Sequence, residues 1–552
     1  MNHFKTCIVS LVAPLALLSL GARSGFAAAA AKTSCESLAA MKLADTTLKT
    51  TSITTNEQLA AIYTAGGDPA PSPAQMLLRA PALPFCRVEA TITPAAGAEI
   101  KSEVWLPAAD KWNGKFTSQG AGGSAGTIGR AGLADGAALG YATSASDAGS
   151  HSEALLSMRF GRNPEWRANF AYRGVHLTAV AAKALIQSYY GSGPKTAIFY
   201  GCSGGGYEAM SLVQRYPNDY DGVLVGDPAL HWEKIGLWQG SAYVASHRDP
   251  AAQIPAAKLP VIYKAAMDKC DALDGVTDGV IDDPRRCQVD FKALQCKAGD
   301  GPDCFTPPQV LALTKIYAPF HHPRTNAFIF PGFNFGAETA AAARARISAA
   351  DSGSTITAGQ PGPLVWHLPE AFEAKDWLAF DFDKGTDAAI KAFAPYSNSD
   401  PDLTKFKASG GKVLMYSGWA DPNLHPQTLV DYHAEMTKAV GGEAAAKSFS
   451  RLFMVPGMNH CSGGPGPNVF GQDLANPSGA TTNAGNNALK ALERWVDDDI
   501  APEEIVATKF VGNDRTKGVV ERTRPLCAYP KVARWSGKGT TDDAKNFACV
   551  AP

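Results

Sequence analysis

The chain has 552 residues, of which 45% are hydrophobic, with 51 basic and 52 acidic side chains and a formal net charge of −1. Such a length and apolar content exclude a disordered chain and exceed one compact domain, which predicts an insertion or a second domain. Balanced charge, with no basic block interleaved with aromatics, argues against nucleic acid and an anionic membrane surface and favours a small neutral partner.

Residues 1–30 read as a signal peptide: Lys5 is basic, an apolar run extends from Cys7 to Leu20, and small residues follow from Ala27 to Ala31. The run is shorter than the ~20 residues a span needs, so export to the periplasm or medium is expected, without a stable membrane anchor. Removing Cys7 with the signal leaves ten of 11 cysteines. An even number in an exported chain predicts five disulfides. Local loops pair Cys35 with Cys86, Cys270 with Cys287, Cys296 with Cys304 and Cys527 with Cys549, which leaves Cys202 and Cys461.

Residues 119–129, QGAGGSAGTIG, form a glycine-rich loop. Ser124 there sits in a G-x-S-x-G pattern, but no apolar helix follows directly. The loop reads as an oxyanion loop, in which the N–H of Gly122 or Gly123 acts beside that of Gly204; a flexible turn is the alternative. Further on, Val175, Ala179, Ala182 and Ile186 have helical spacing. A short apolar strand, KTAIFYG, then runs into a second G-x-S-x-G, GCSGG around Ser203, and a helix beginning YEAM. Strand, sharp turn and helix are the context of a nucleophile elbow.

Three more apolar strands follow: DGVLVGDPA, GKVLMYSGWAD and SFSRLFMVPGMNH. Strands alternating with helices predict an α/β fold with a mostly parallel sheet and active groups at strand C-terminal ends. In the order Ser, acid, His, the triad is Ser203, Asp421 and His460, with Asp227 a rival acid and His425 and His176 rival imidazoles. Ser203 would attack an ester carbonyl, His460 take its proton, Asp421 hold the imidazole, and backbone N–H groups receive the oxyanion. A disulfide between Cys202 and Cys461 would hold His460 beside Ser203.

The run CDALDGVTDGVIDDPRRC crowds Asp271, Asp274 and Asp278 into one loop that Cys270 and Cys287 can clamp. A hard cation would relieve their repulsion, and calcium accepts backbone carbonyls such as those of Val276 and Val280 as further ligands. A solvated acidic turn is the alternative.

These residues together resemble the tannase and feruloyl esterase family, which includes hydrolases of terephthalate monoesters, over essentially the whole mature chain. The resemblance implies an α/β-hydrolase fold with a large inserted lid domain, residues 31–227 and 406–552 forming the catalytic domain and 228–405 the lid. It implies a disulfide under the active site joining Cys202–Ser203 to His460–Cys461, the acid at Asp421, and structural Ca2+ held by Asp271, Asp274, Val276, Asp278 and Val280. Relatives often read C-S-T-G-G-R where this chain has Gly204 and Tyr207, which leaves the triad and alters helix contacts. The implied activity is a secreted serine esterase for feruloyl, galloyl or related aryl esters. Alternatives are a terephthalate-monoester hydrolase, a general carboxylesterase or, further off, a peptidase or amidase. The aromatic runs FIFPGFNFGAE and GPLVWHLPEAFEAKDWLAFDF suit either an aryl pocket or a lid core.

Overall fold

The computed structural model describes residues 33–552 except 67–71, 73–74, 77–78, 125, 152–158, 341–342, 344–346, 348–376 and 475–480. The expected signal peptide and most of residues 362–382 lie outside the described residues. Nine strands form one sheet: β1 (Thr46–Ile53), β2 (Phe85–Ala95), β3 (Ala98–Pro107), β4 (Lys115–Gln119), β5 (Ala142–Ser146), β6 (Thr196–Cys202), β7 (Gly222–Gly226), β8 (Lys412–Gly418) and β9 (Ser450–Val455). Their order is β1-β2-β3-β5-β4-β6-β7-β8-β9. The neighbours β1/β2, β2/β3 and β3/β5 are antiparallel, and every pair from β5 to β9 is parallel.

Burial explains the division. Every residue of β7 and β9 is buried, as expected of parallel strands covered on both faces, whereas β2 alternates buried and half-buried positions. Alternate residues of the central strands enter different cores. Phe199, Val223, Val225 and Met415 pack with Met210 and Val213 of the helix after β6, while Ile198, Leu224, Leu414 and Tyr416 pack with Leu489 and Leu492. The helices include α1 (Gly174–Tyr190) and α2 (Gly204–Arg215), then α3 (Trp232–His247), α4 (Leu259–Cys270), α5 (Pro307–Tyr317), α6 (Phe382–Phe393) and α7 (Ala488–Asp498), which supplies the two leucines. A mostly parallel sheet between two helical layers, with an elbow after β6, is the α/β-hydrolase arrangement. No helix of the described residues is long and apolar enough to cross a membrane.

Strands β7 and β8 pair side by side, yet residues 227–411 separate them in sequence. This insertion carries α3–α6 and has an apolar core that includes Trp238, Phe305, Leu313, Phe330 and Phe393. The core continues onto Phe170, Tyr207 and Ala420 of the sheet-bearing part. Polar ties fasten the two parts. The Tyr207 hydroxyl donates to the Tyr396 carbonyl, and Asn398 Nδ2 donates to the Ala171 carbonyl at 2.8 Å. Asn334 Nδ2 donates to the Trp419 carbonyl at 2.6 Å. Phe330 and Phe333 are buried, with ring centroids 5.3 and 6.3 Å from Trp238, so these aromatics of FIFPGFNFGAE serve the insertion core.

All five cysteine pairs are bonded: Cys35–Cys86, Cys202–Cys461, Cys270–Cys287, Cys296–Cys304 and Cys527–Cys549.

Candidate active site

Strand β6 ends at Cys202 and α2 begins at Gly204, so the whole turn is carried by Ser203. Its φ of 63° and ψ of −118° place a non-glycine residue in strained territory. Two glycines make the turn possible. A Cβ on Gly201 would stand 2.5 Å from the Gly205 carbonyl oxygen, and one on Gly204 would stand 2.3 Å from that of Gly123. Helix α2 therefore crosses the strand end at backbone contact, and its first N–H groups and dipole point toward Ser203.

His460 and Asp421 meet. Nδ1 of His460 lies 2.7 Å from Oδ2 of Asp421, whose side chain is fully buried while the imidazole is 21% exposed. Oδ1 of Asp421 accepts N–H bonds from Asn423 at 2.7 Å and Leu424 at 3.0 Å, which fixes the orientation of the carboxylate. The imidazole loop is tied to the elbow covalently: the Cys202–Cys461 bond sets these Cα atoms 5.9 Å apart, and each cysteine adjoins a candidate catalytic residue.

Sequence reasoning treated Asp227 only as a rival acid. In the structure it sits behind the pair, with Oδ1 accepting from the Ser417 hydroxyl and the Gly418 N–H and Oδ2 from the Cys461 N–H. Burial and the charge of Asp421 push its carboxyl well above the ordinary value, and His460 opposes them. Neither rival imidazole bonds Asp421. His176 bonds Asp219 at 2.7 Å and stacks on Tyr216, and the ring nitrogen Nδ1 of His425 accepts from the Gln427 N–H.

The loop containing Gly122 and Gly123 lies against α2: a Cβ on Gly205 would meet the backbone of Gly120 at 3.0 Å. Among the described residues, no group accepts from the N–H of Gly122, Gly123 or Gly204. Ser124 is buried. A residue that the sequence pattern did not single out anchors this loop. Oε2 of Glu208 accepts the Ala121 N–H at 2.7 Å, and burial pushes its carboxyl up to about 8. Glu208 stands one turn beyond the elbow, where the sequence shows only a charged residue in an apolar helix.

The family model described as Tannase and feruloyl esterase matches residues 86–550. The chain belongs to the tannase and feruloyl esterase family. An uncharacterised esterase of Xanthomonas campestris pv. campestris is 34% identical over all of this chain and 95% of its own length. The mono(2-hydroxyethyl) terephthalate hydrolase of Piscinibacter sakaiensis is 31% identical over 86% of each chain. The crystal structure of feruloyl esterase B from Aspergillus oryzae superposes with a TM-score of 0.80 at 26% identity, covering 94% of this chain and 99% of that one. As a member of this family the chain is a carboxylic ester hydrolase.

The aspartate loop of this tannase-family chain differs in one respect from the sequence expectation of uncompensated acids. Arg524 bonds the Asp278 carboxylate, with Arg522 at 3.2 Å, while Arg534 donates to the Asp274 carbonyl. Asp271 accepts N–H bonds from Asp278 and Gly279. Asp274, Asp278 and Val280, joined by the half-buried Asp282, still line one cavity of about 20 Å³, room for a single water-sized occupant. Gly275 and Gly279 have φ of 92° and 79°, which lets the loop curl around it. Asp271 and Val276 do not line this cavity, Arg524 does, and a hard cation there must compete with Arg524 for Asp278.

Proposed function

We propose that this esterase is an exported serine hydrolase of aryl carboxylic esters that works through Ser203, His460 and Asp421. The observation that carries the reading is the His460–Asp421 pair, fastened by the Cys202–Cys461 bond to the elbow bearing Ser203. Ser203 Oγ attacks the ester carbonyl while His460 Nε2 takes its proton. Asp421 holds the Nδ1–H tautomer and stabilises the imidazolium. The N–H of Gly204, with that of Gly122 or Gly123, receives the oxyanion in a site that needs no reorganisation. Water, activated by the same imidazole, then releases the acid. Five disulfides fit an oxidising compartment and support export.

The insertion, in this reading, is a lid that selects the acid. Its apolar core reaches Ala121 of the glycine loop and Ala420 and Leu424 beside Asp421, so apolar side chains come up to the site from the insertion. A planar aryl acid buries more area on such walls than a short aliphatic chain. On a panel of methyl ferulate, methyl gallate, p-nitrophenyl butyrate and a peptide anilide, kcat/KM for an aryl acid ester is expected to exceed that for butyrate about tenfold or more. Comparable values would contradict the aryl pocket, and turnover of the anilide would favour an amidase. The likeness to the terephthalate hydrolase favours a second reading, a terephthalate-monoester hydrolase. Adding that substrate to the panel tests it.

Calcium in the aspartate loop is part of the same proposal, with ligands from Asp271, Asp274, Asp278 and the carbonyls of Val276 and Val280. The ion would supply a cross-link within the insertion and take no part in ester chemistry. Chelation is expected to lower the melting temperature, because a ligand bound only by the folded state stabilises it. An unchanged melting temperature with EDTA, and no calcium by elemental analysis, would mean that Arg522 and Arg524 alone neutralise the loop.

A further inference from the structure

Asp227 has no role in the reaction described above, yet its carboxylate lies among the groups that do. It directly follows β7 at a φ of 31° and is buried. Oδ1 accepts from the Ser417 hydroxyl at 2.8 Å and the Gly418 N–H at 2.9 Å, at the end of the strand that leads to Asp421. Oδ2 accepts from the Cys461 N–H at 2.8 Å, one residue after His460, and stands 3.7 Å from Cys202 Sγ. An oxygen of Asp227, an oxygen of Asp421 and a ring nitrogen of His460 lie within 4.8 Å of one another. One side chain thus touches the elbow disulfide, the acid strand and the imidazole loop.

We propose that Asp227 is a positioning residue of the esterase site, which locks the His460 loop to the Asp421 strand and places a second negative charge behind the imidazolium. The proposal rests on the Ser203–His460–Asp421 reading. Three donors aimed at the two oxygens favour the ionised form without securing it, since the carboxyl is still pushed up to about 7. Burial and Asp421 oppose ionisation, and the His460 cation favours it. Among the described residues the phenol of Tyr416 also faces Asp227 and is kept protonated by burial. A carboxylate near an imidazole favours the imidazolium, so Asp227 raises the pKa of His460 and moves the acidic limb of kcat/KM to higher pH. Loss of that charge moves the limb down.

The test is the pH profile of Asp227→Asn, which keeps the shape, removes the charge and turns an amide N–H2 toward one of the three donors. On p-nitrophenyl acetate the limb is expected to fall by about half a pH unit or more and plateau kcat about tenfold or more, with KM changing less than about threefold. Ser417→Ala, which removes one donor and leaves the carboxylate, is expected to shift the limb in the same direction by less. It decides the matter if the asparagine variant does not fold. A limb unmoved or raised in these variants, with only rate or melting temperature lowered, would overturn the proposal as a merely structural role. Ser203→Ala is measured alongside. If it is inactive while the limb stays put, this inference alone fails, and if it retains activity the underlying triad fails with it.

Discussion

Replacing Ser203 by alanine is expected to lower kcat on any ester substrate about 10⁵-fold or more, with little change in KM or melting temperature. The size follows from the group removed. Without Oγ no acyl-enzyme forms, and only oxyanion stabilisation and substrate positioning remain. Alanine occupies the same strained backbone position, so the fold gains and loses little. Ser124 supplies the control, since it sits in the other G-x-S-x-G and is buried. Ser124→Ala is expected to stay within a few-fold of the parent. Progress curves with p-nitrophenyl acetate, together with thermal melts of both variants, check the pair. A Ser203→Ala protein with substantial turnover would remove the nucleophile from this account.

The second large effect is expected at Cys202 and Cys461. Their bond spans 259 residues, and chain-entropy arguments give a loop of that length about 5 kcal/mol through the unfolded state. Replacing both by alanine should therefore lower the melting temperature clearly. The effect on rate is separate. The His460 loop would keep the N–H of residue 461 on Asp227 and the Nδ1 bond to Asp421, so the imidazole is loosened and not released. A fall in kcat of about 10²-fold is expected, in line with the cost of misplacing a catalytic group by about 1 Å. Unchanged kcat in a destabilised double variant would show that the disulfide serves stability alone.

The central constellation was legible in the sequence because its parts are neighbours in the chain: Cys202 adjoins Ser203, and Cys461 adjoins His460. Periodicity and chain order supplied the strand–turn–helix around Ser203 and the acid at the end of a later strand. What remained hidden depends on contacts across long separations. The Asp227 carboxylate meets the Cys461 N–H across 234 residues, and no local pattern distinguishes a buried brace from a rival triad acid. Asp278 finds Arg524 across 246 residues, so a loop that reads as uncompensated acid is compensated by a distant strand. Glu208 likewise acts on a backbone N–H 87 residues earlier. Backbone donors carry no sequence signature. The aromatic run at residues 328–338 was ambiguous for a different reason: composition reports apolar area, and only the fold shows that Phe330 and Phe333 spend it on the insertion core. The antiparallel start of the sheet, β1 to β3, also escaped notice, since half-buried strands of mixed polarity give a weak signal.

The nucleophile is identified by the covalent bond it forms. Incubation with an alkyl p-nitrophenyl phosphonate, followed by proteolysis and mass spectrometry, reports which side chain acts as nucleophile. The expected result is a single adduct on the peptide containing Ser203, formed as activity is lost and absent from the Ser203→Ala protein. An adduct on Ser124 or any other residue that tracks the loss of activity would contradict it.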